Sequence, residues 1–158
     1  TIYKTDFWEG ESEEHQGVCS KGWHVPSKDE FQELFDFTDS ADGSNYRQTR
    51  VLLDSVYFPD YGMDKYGFKV VYSGFSNLND ENKRTYNYIG RGVYFQSRTN
   101  VMIGDSSETS TLDFTGIKDN ELRDVSKYIG VGWKAHGYSL RCIANKNTQQ
   151  FLLENKAL

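Results

Sequence analysis

Residues Val18–Leu34 read VCSKGWHVPSKDEFQEL and set the direction of the chain. Ser27 and Glu30 have the spacing of a capping box, in which the serine hydroxyl accepts the Glu30 amide while the glutamate carboxylate reaches back. Pro26 offers no amide hydrogen and biases Val25 toward extended backbone. The spacing therefore predicts strand or loop through Gly22, Trp23, His24 and Val25, and a helix from Lys28. Phe31, Leu34, Phe35 and Thr38 then recur on one helical face.

Around this stretch, composition sets limits. A chain of 158 residues fits a single domain and is long enough to bury roughly two thirds of its unfolded surface. The expected division is one domain over 1–145 and a tail or linker over 146–158, where Phe151, Leu152 and Leu153 offer an apolar contact. A net charge of -5 argues against nucleic acid and anionic membranes, which require a basic face. No apolar run approaches the roughly 18 residues of a spanning helix, so no membrane insertion is expected. No signal peptide is visible at Thr1, and the chain is expected to be part of a longer protein. The 11 Tyr, 10 Phe and 3 Trp imply a core built from rings, with tyrosines left over for recognition.

Cys19 and Cys142 stand 123 residues apart. Bonded, they would close most of the chain into one loop, worth about 4 to 5 kcal/mol on the chain-entropy argument. Two buried free thiols are the alternative, and no CxxC or Cys/His spacing supports a metal or redox pair. A disulfide would imply an oxidising compartment, hence secretion or the cell surface.

Taken in order, 1–17 reads as a short aromatic strand (Tyr3, Phe7, Trp8) and a solvated acidic loop (Glu9, Glu11, Glu13, Glu14). Asp39–Ser44 is turn chemistry. It resembles a calcium loop only loosely, since Thr38 falls where the first acidic ligand is wanted; no cofactor is expected, with calcium kept as a minor alternative. Ser44 caps a predicted second helix to about Val56, with Tyr46, Leu53 and Val56 on one side. Strands are expected at Tyr66–Phe75, Tyr88–Arg98, Asn100–Ile103, Tyr128–Trp133 and Tyr138–Ala144. Two polar stretches, Ser76–Asn87 and Asp105–Lys127, read as long loops, the second with a short helix near Asn120–Ser126. Helices in front and strands behind give an α+β class.

Catalytic motifs are weak. Gly130, Gly132 and Ala135 match a G-x-G-x-x-A fingerprint, but a strand-like segment follows instead of the helix that a dinucleotide site needs. His15, His24 and His136 have no ligand spacing. Acid pairs such as Asp105 with Glu108, or Asp119 with Glu121, occur without an apolar context that would raise a carboxyl pKa.

The segments VCSKGWHVPSKDEFQEL, YGF at Tyr66–Phe68, GVYFQSRT at Gly92–Thr99 and GYSLRCIAN at Gly137–Asn145 together resemble the Fibrobacter succinogenes major paralogous domain family over about 17–145. The likeness rests on the family's "C-x-x-GWHVPS" opening and "YGFSVRC" ending. The chain departs from it where Phe95–Gln96–Ser97–Arg98–Thr99 stands in place of the usual Trp-Ser-Ser-Thr, and in the long insertion Asp105–Lys127. The resemblance implies a bacterial extracytoplasmic module of C-type lectin-like fold: two helices flanking a small, mainly antiparallel sheet, with Cys19 and Cys142 on the family's paired positions. The Glu-Pro-Asn and Trp-Asn-Asp motifs of calcium-dependent sugar binding are absent.

The expected function is a surface-displayed binding or adhesion module that recognises a glycan or protein on another cell or host. Its ligand-facing residues would be Asn77, Asn79, Asn82, Tyr86 and Tyr88 of the first polar loop, Arg91, Tyr94, Gln96 and Arg98 of the following strand, and Trp133, Lys134 and His136 at a tip. Stacking rings and bidentate donors suit such surfaces, and long loops on a rigid scaffold usually carry binding. Two alternatives stand beside it. One is an enzyme of the formylglycine-generating type, which would need a reactive cysteine pair. The other is a passive spacer.

Overall fold

A computed structural model describes residues 16–42, 49–60, 62–115 and 126–155. The described residues are α+β, with helices and small antiparallel sheets. In order, the elements are β1 (Trp23–His24), α1 (Lys28–Asp42), β2 (Phe75–Leu78), β3 (Arg84–Asn87), β4 (Gly92–Ile103), β5 (Ser106–Thr115), β6 (Ser126–Gly132), β7 (Ile143–Ala144) and α2 (Lys146–Asn155).

Helix α1 starts where the capping box places it. The Glu30 amide donates to Ser27 Oγ at 3.1 Å, and the Ser27 amide donates back to Glu30 Oε2 at 2.7 Å. Phe31, Phe35 and Thr38 are buried, Leu34 partly so. Beside the cap, β1 pairs antiparallel with β7, and the Cys19–Cys142 disulfide closes the ends of this ladder. No cysteine is free.

Strands β4, β5 and β6 form the main sheet in that order, all antiparallel. Its period-2 alternation sends Val93, Phe95, Leu112, Phe114 and Ile129 to one face. There they meet Phe31 and Phe35 of α1, together with Val51, Leu52, Leu53, Phe58, Val70 and Tyr72. The opposite face carries Tyr94, Thr111, Asp113, Tyr128, Gly130 and Gly132. Phe75 and the segment 133–138 lie over it.

Several expectations are corrected. The second helix does not reach Val56: Val51, Leu52 and Leu53 are all fully buried in succession, which one helical face cannot achieve, and Leu53 bridges Val70. The Asp54 carboxylate then accepts the amides of Val56 and Tyr57 at 2.8 and 2.6 Å, forming a turn. Positions 44–48 of that helix lie outside the described residues, as do 1–15 and the acidic loop within them. Of the strand expected over Tyr66–Phe75, only Phe75 enters a strand, β2, while Val70 and Gly74 make isolated bridges, since Gly67, Lys69 and Gly74 have positive φ.

Ser76–Asn87 is a hairpin, not a loop: β2 pairs with β3 from Phe75↔Asn87 to Leu78↔Arg84. Tyr88–Arg98 and Asn100–Ile103 merge into one strand, β4, which starts only at Gly92 and is interrupted between Gln96 and Asn100 by a register shift. The polar run after Asp105 is largely the central strand β5, turned from β4 at Gly104 and Asp105. Of the short helix expected near Asn120–Ser126, Ser126 opens β6, and the rest lies outside the described residues. Within Tyr138–Ala144 only Ile143–Ala144 joins a sheet, while Ser139 bridges Phe95 along the free edge of β4. Among the described residues no helix is long and apolar enough to cross a membrane.

Candidate functional site: an aromatic cleft over a buried carboxylate

On the face of the main sheet opposite α1 lies a cleft of about 340 Å³. Its floor is set by sheet register: Tyr94 on β4 and Tyr128 on β6 stand opposite Asp113 on β5, and Thr111 stands opposite Gly130. Its walls come from elsewhere. The hairpin β2–β3 is pinned by reciprocal backbone hydrogen bonds between Ser76 and Gly137, at 2.9 and 2.7 Å. That junction brings Phe75 against His136, with ring centroids 5.1 Å apart and planes within 20°. Phe75 also packs edge-on to Tyr94 and stacks with Tyr88. His136 Nδ1 meets the Tyr138 hydroxyl at 3.1 Å, and Trp133, 64% exposed, packs against the His136 ring at the mouth.

The glycines of β6 belong to this geometry. A Cβ on Gly130 would run into the Asp113 carboxylate, and one on Gly132 into the Tyr138 hydroxyl. These are the two glycines of the sequence's G-x-G match. They lie in a strand beneath side chains rather than at a phosphate-binding turn.

Asp113 is only 4% exposed, and its Oδ1 has no hydrogen-bond partner. Burial raises its pKa to about 6, against the hydrogen bonds of Thr111 and Tyr128. The expectation that no carboxylate sits in an apolar context is thereby corrected: Leu112 and Phe114 flank Asp113 in sequence, and rings cover it in space. Burial likewise pushes Tyr94 and Tyr138 up to about 12. It lowers the pKa of His136, partly opposed by Glu108. At neutral pH the cleft thus holds neutral phenols, an imidazole biased toward its neutral form and one buried carboxylate.

Of the residues singled out from sequence, Tyr94, Trp133 and His136 come together in the cleft, and Tyr88 joins their ring cluster through Phe75 and Tyr94. Lys134 follows at the turn, its amide donating to Glu108 at 3.0 Å. The others stand apart. Asn77 Oδ1 accepts from Thr85 and Asn87 across the hairpin, and Asn79 Oδ1 accepts the amides of Glu81 and Lys83 in its turn. Asn82 holds a left-handed turn conformation there, and Tyr86 is exposed on β3. Arg91 is exposed in the turn leading to β4. Gln96 is buried in the sheet, its amide donating to Ser139. Arg98 is buried at the cap of α1, where it pairs with Glu30 at 3.4 Å.

Reading the sequence missed Phe75, Asp113, Tyr128 and Tyr138. A signal for Asp113 exists: in T-S-T-L-D-F-T (109–115) the positions alternate, with Leu112 and Phe114 on one face and Thr111 and Asp113 on the other. Ser and Thr content masked it. No group of three or more His, Cys, Asp or Glu able to hold a metal occurs among the described residues. On the calcium candidate, Asp39 pairs with Lys127.

No protein-family model matches the chain, and neither does any curated protein or solved structure.

Proposed function

We propose that this chain is a binding module of the bacterial cell surface that takes its ligand in the cleft over Asp113. Its arrangement would be that of the C-type lectin-like fold of the Fibrobacter succinogenes major paralogous domains. The observation that carries the reading is the convergence of Phe75, Tyr94, Trp133, His136 and Tyr138 from separate segments onto one buried, incompletely bonded carboxylate. Scaffolds rarely leave such a group without a reason, and a concave aromatic site with few polar groups is the usual form of a ligand site. The Cys19–Cys142 disulfide suits an oxidising, extracytoplasmic setting.

An enzyme of the formylglycine-generating type has less support, because both cysteines are joined beside the β1–β7 ladder rather than facing the cleft. The spacer reading gives no role to the exposed Trp133 or to the unpaired Asp113 oxygen.

The test is a glycan array combined with a pull-down from neighbouring-cell or host surface extract, using the native chain and Trp133→Ala and Tyr94→Ala variants. Enrichment by the native chain that both variants lose supports the module. A folded native chain that enriches nothing in either format favours the spacer.

A further inference from the structure

We propose that the ligand group seated in the cleft is an organic ammonium cation, held by the Asp113 carboxylate and the surrounding rings. This deepens the binding reading above and rests on it.

Three observations converge. First, charge: Asp113 is almost fully buried with Oδ1 unpaired, and among the described residues no lysine or arginine lines the cleft. The nearest basic side chain along β6, Lys127, lies on the other face of the sheet, over the Phe35 ring and paired with Asp39. The Asp113 charge is therefore left for a ligand to balance, and a buried charge without a counter-ion is a costly feature of a scaffold. Glu108, which acts electrostatically on His136 and Tyr138, adds to the negative field.

Second, walls: Phe75, Tyr94, Tyr128, Trp133 and Tyr138 line the cleft, and the quadrupole of an aromatic ring attracts a cation most strongly once water is excluded. The biased-neutral imidazole and the high-pKa phenols supply no competing charge of either sign.

Third, the alternatives: a bare metal ion would want several carboxylate, thiolate or imidazole ligands, and among the described residues no such group exists. An organic ammonium needs only one anion and apolar sides. A neutral sugar would leave the carboxylate charge unbalanced. The ammonium could be carried by an amino sugar or by a lysine side chain, and both share the chemistry the cleft reads.

The experiment is a calorimetric titration of the whole chain, above the Asp113 titration, with three pairs of probes. Each pairs a cation with a neutral analogue of matched shape: choline with 3,3-dimethylbutan-1-ol, glucosamine with glucose, and Nα-acetyl-lysine amide with Nα-acetyl-norleucine amide. The expected result is saturable binding of at least one cation, about tenfold or more tighter than its neutral partner. The member that binds best identifies the source. Asp113→Asn, which keeps the shape, should abolish the preference for charge. Tyr138→Leu should weaken the cation while the chain stays folded by circular dichroism. Equal affinity within every pair, or a charge preference that survives Asp113→Asn, overturns the cation assignment. If a neutral probe alone binds, the binding reading stands and the cation assignment falls. If no probe binds while the surface-extract pull-down still enriches a partner that Trp133→Ala loses, the cation assignment also falls and the module remains.

Discussion

The Asp113 carboxylate fills the space above Gly130 that any larger residue would need for its Cβ. Gly130 has no positive φ, so its requirement is for room rather than for backbone conformation. Gly130→Ala should therefore destabilise through overpacking, by about 1–3 kcal/mol. The double variant Gly130→Ala with Asp113→Ala should recover most of that loss. Urea unfolding of the four members of the cycle measures the coupling. Purely additive effects would show that the two residues do not compete for the same space.

Asp113 should also shape the pH dependence of stability. Its folded pKa of about 6 lies above the ordinary 3.8. Its contribution is therefore fully present below about 3.8 and is lost as pH rises through about 6, because the folded state resists ionisation. The groups facing it are the hydroxyls of Thr111 and Tyr128, the raised phenols of Tyr94 and Tyr138, and, through space, His136 and Glu108. Asp113→Asn cannot ionise. The stability difference between native chain and variant should shift in favour of the variant by roughly 2–3 kcal/mol between about pH 4 and pH 7. Chemical denaturation across that range tests it, and parallel pH profiles would refute it.

Glu30 serves two ends of the scaffold at once. Its Oε2 closes the capping box and meets Arg98, while Oε1 meets His24 Nε2 at 2.8 Å; His24 Nδ1 in turn contacts Asn145 at 2.6 Å. Burial alone would raise the Glu30 pKa, but the Ser27 amide and His24 more than offset this and hold it below 4.5. The stabilisation it provides is present above its unfolded value and is lost as pH falls through the depressed one. Glu30→Ala should cost about 2–4 kcal/mol, because it removes the acceptor shared by buried His24 and Arg98. Ser27→Ala, which loses only the cap, should cost about 1 kcal/mol. Thermal unfolding ranks the two, and equal losses would mean that the His24 and Arg98 contacts contribute nothing.

The disulfide spans 123 residues. Replacing both cysteines by serine should lower stability by about 4–5 kcal/mol. Unfolding of the native chain with and without reductant gives an independent reading, and the reduced chain should match the double variant.

Local chemistry settled much of this fold before any tertiary contact was known. The start of α1 follows from Ser27, Glu30 and Pro26, because capping operates within four residues. The strands at Gly92 and Tyr128 follow from runs of aromatic and β-branched residues, and the α+β class from their arrangement. The Cys19–Cys142 pairing was open from counting alone and leaned on a family resemblance; the structure places it beside the β1–β7 ladder. What local chemistry could not settle was the state of the polar segments. Ser106–Thr115 and Ser76–Asn87 carry loop-like composition, and become strands only because neighbours pair with them and, for β5, because α1 covers one face. The same holds for the cleft. Tyr94, Trp133 and His136 stand out as candidates by residue type, but they meet Phe75, Tyr138 and Asp113 only because segments far apart in sequence converge over one sheet. A carboxyl group has an ordinary pKa in any isolated peptide; only tertiary burial under those rings raises that of Asp113.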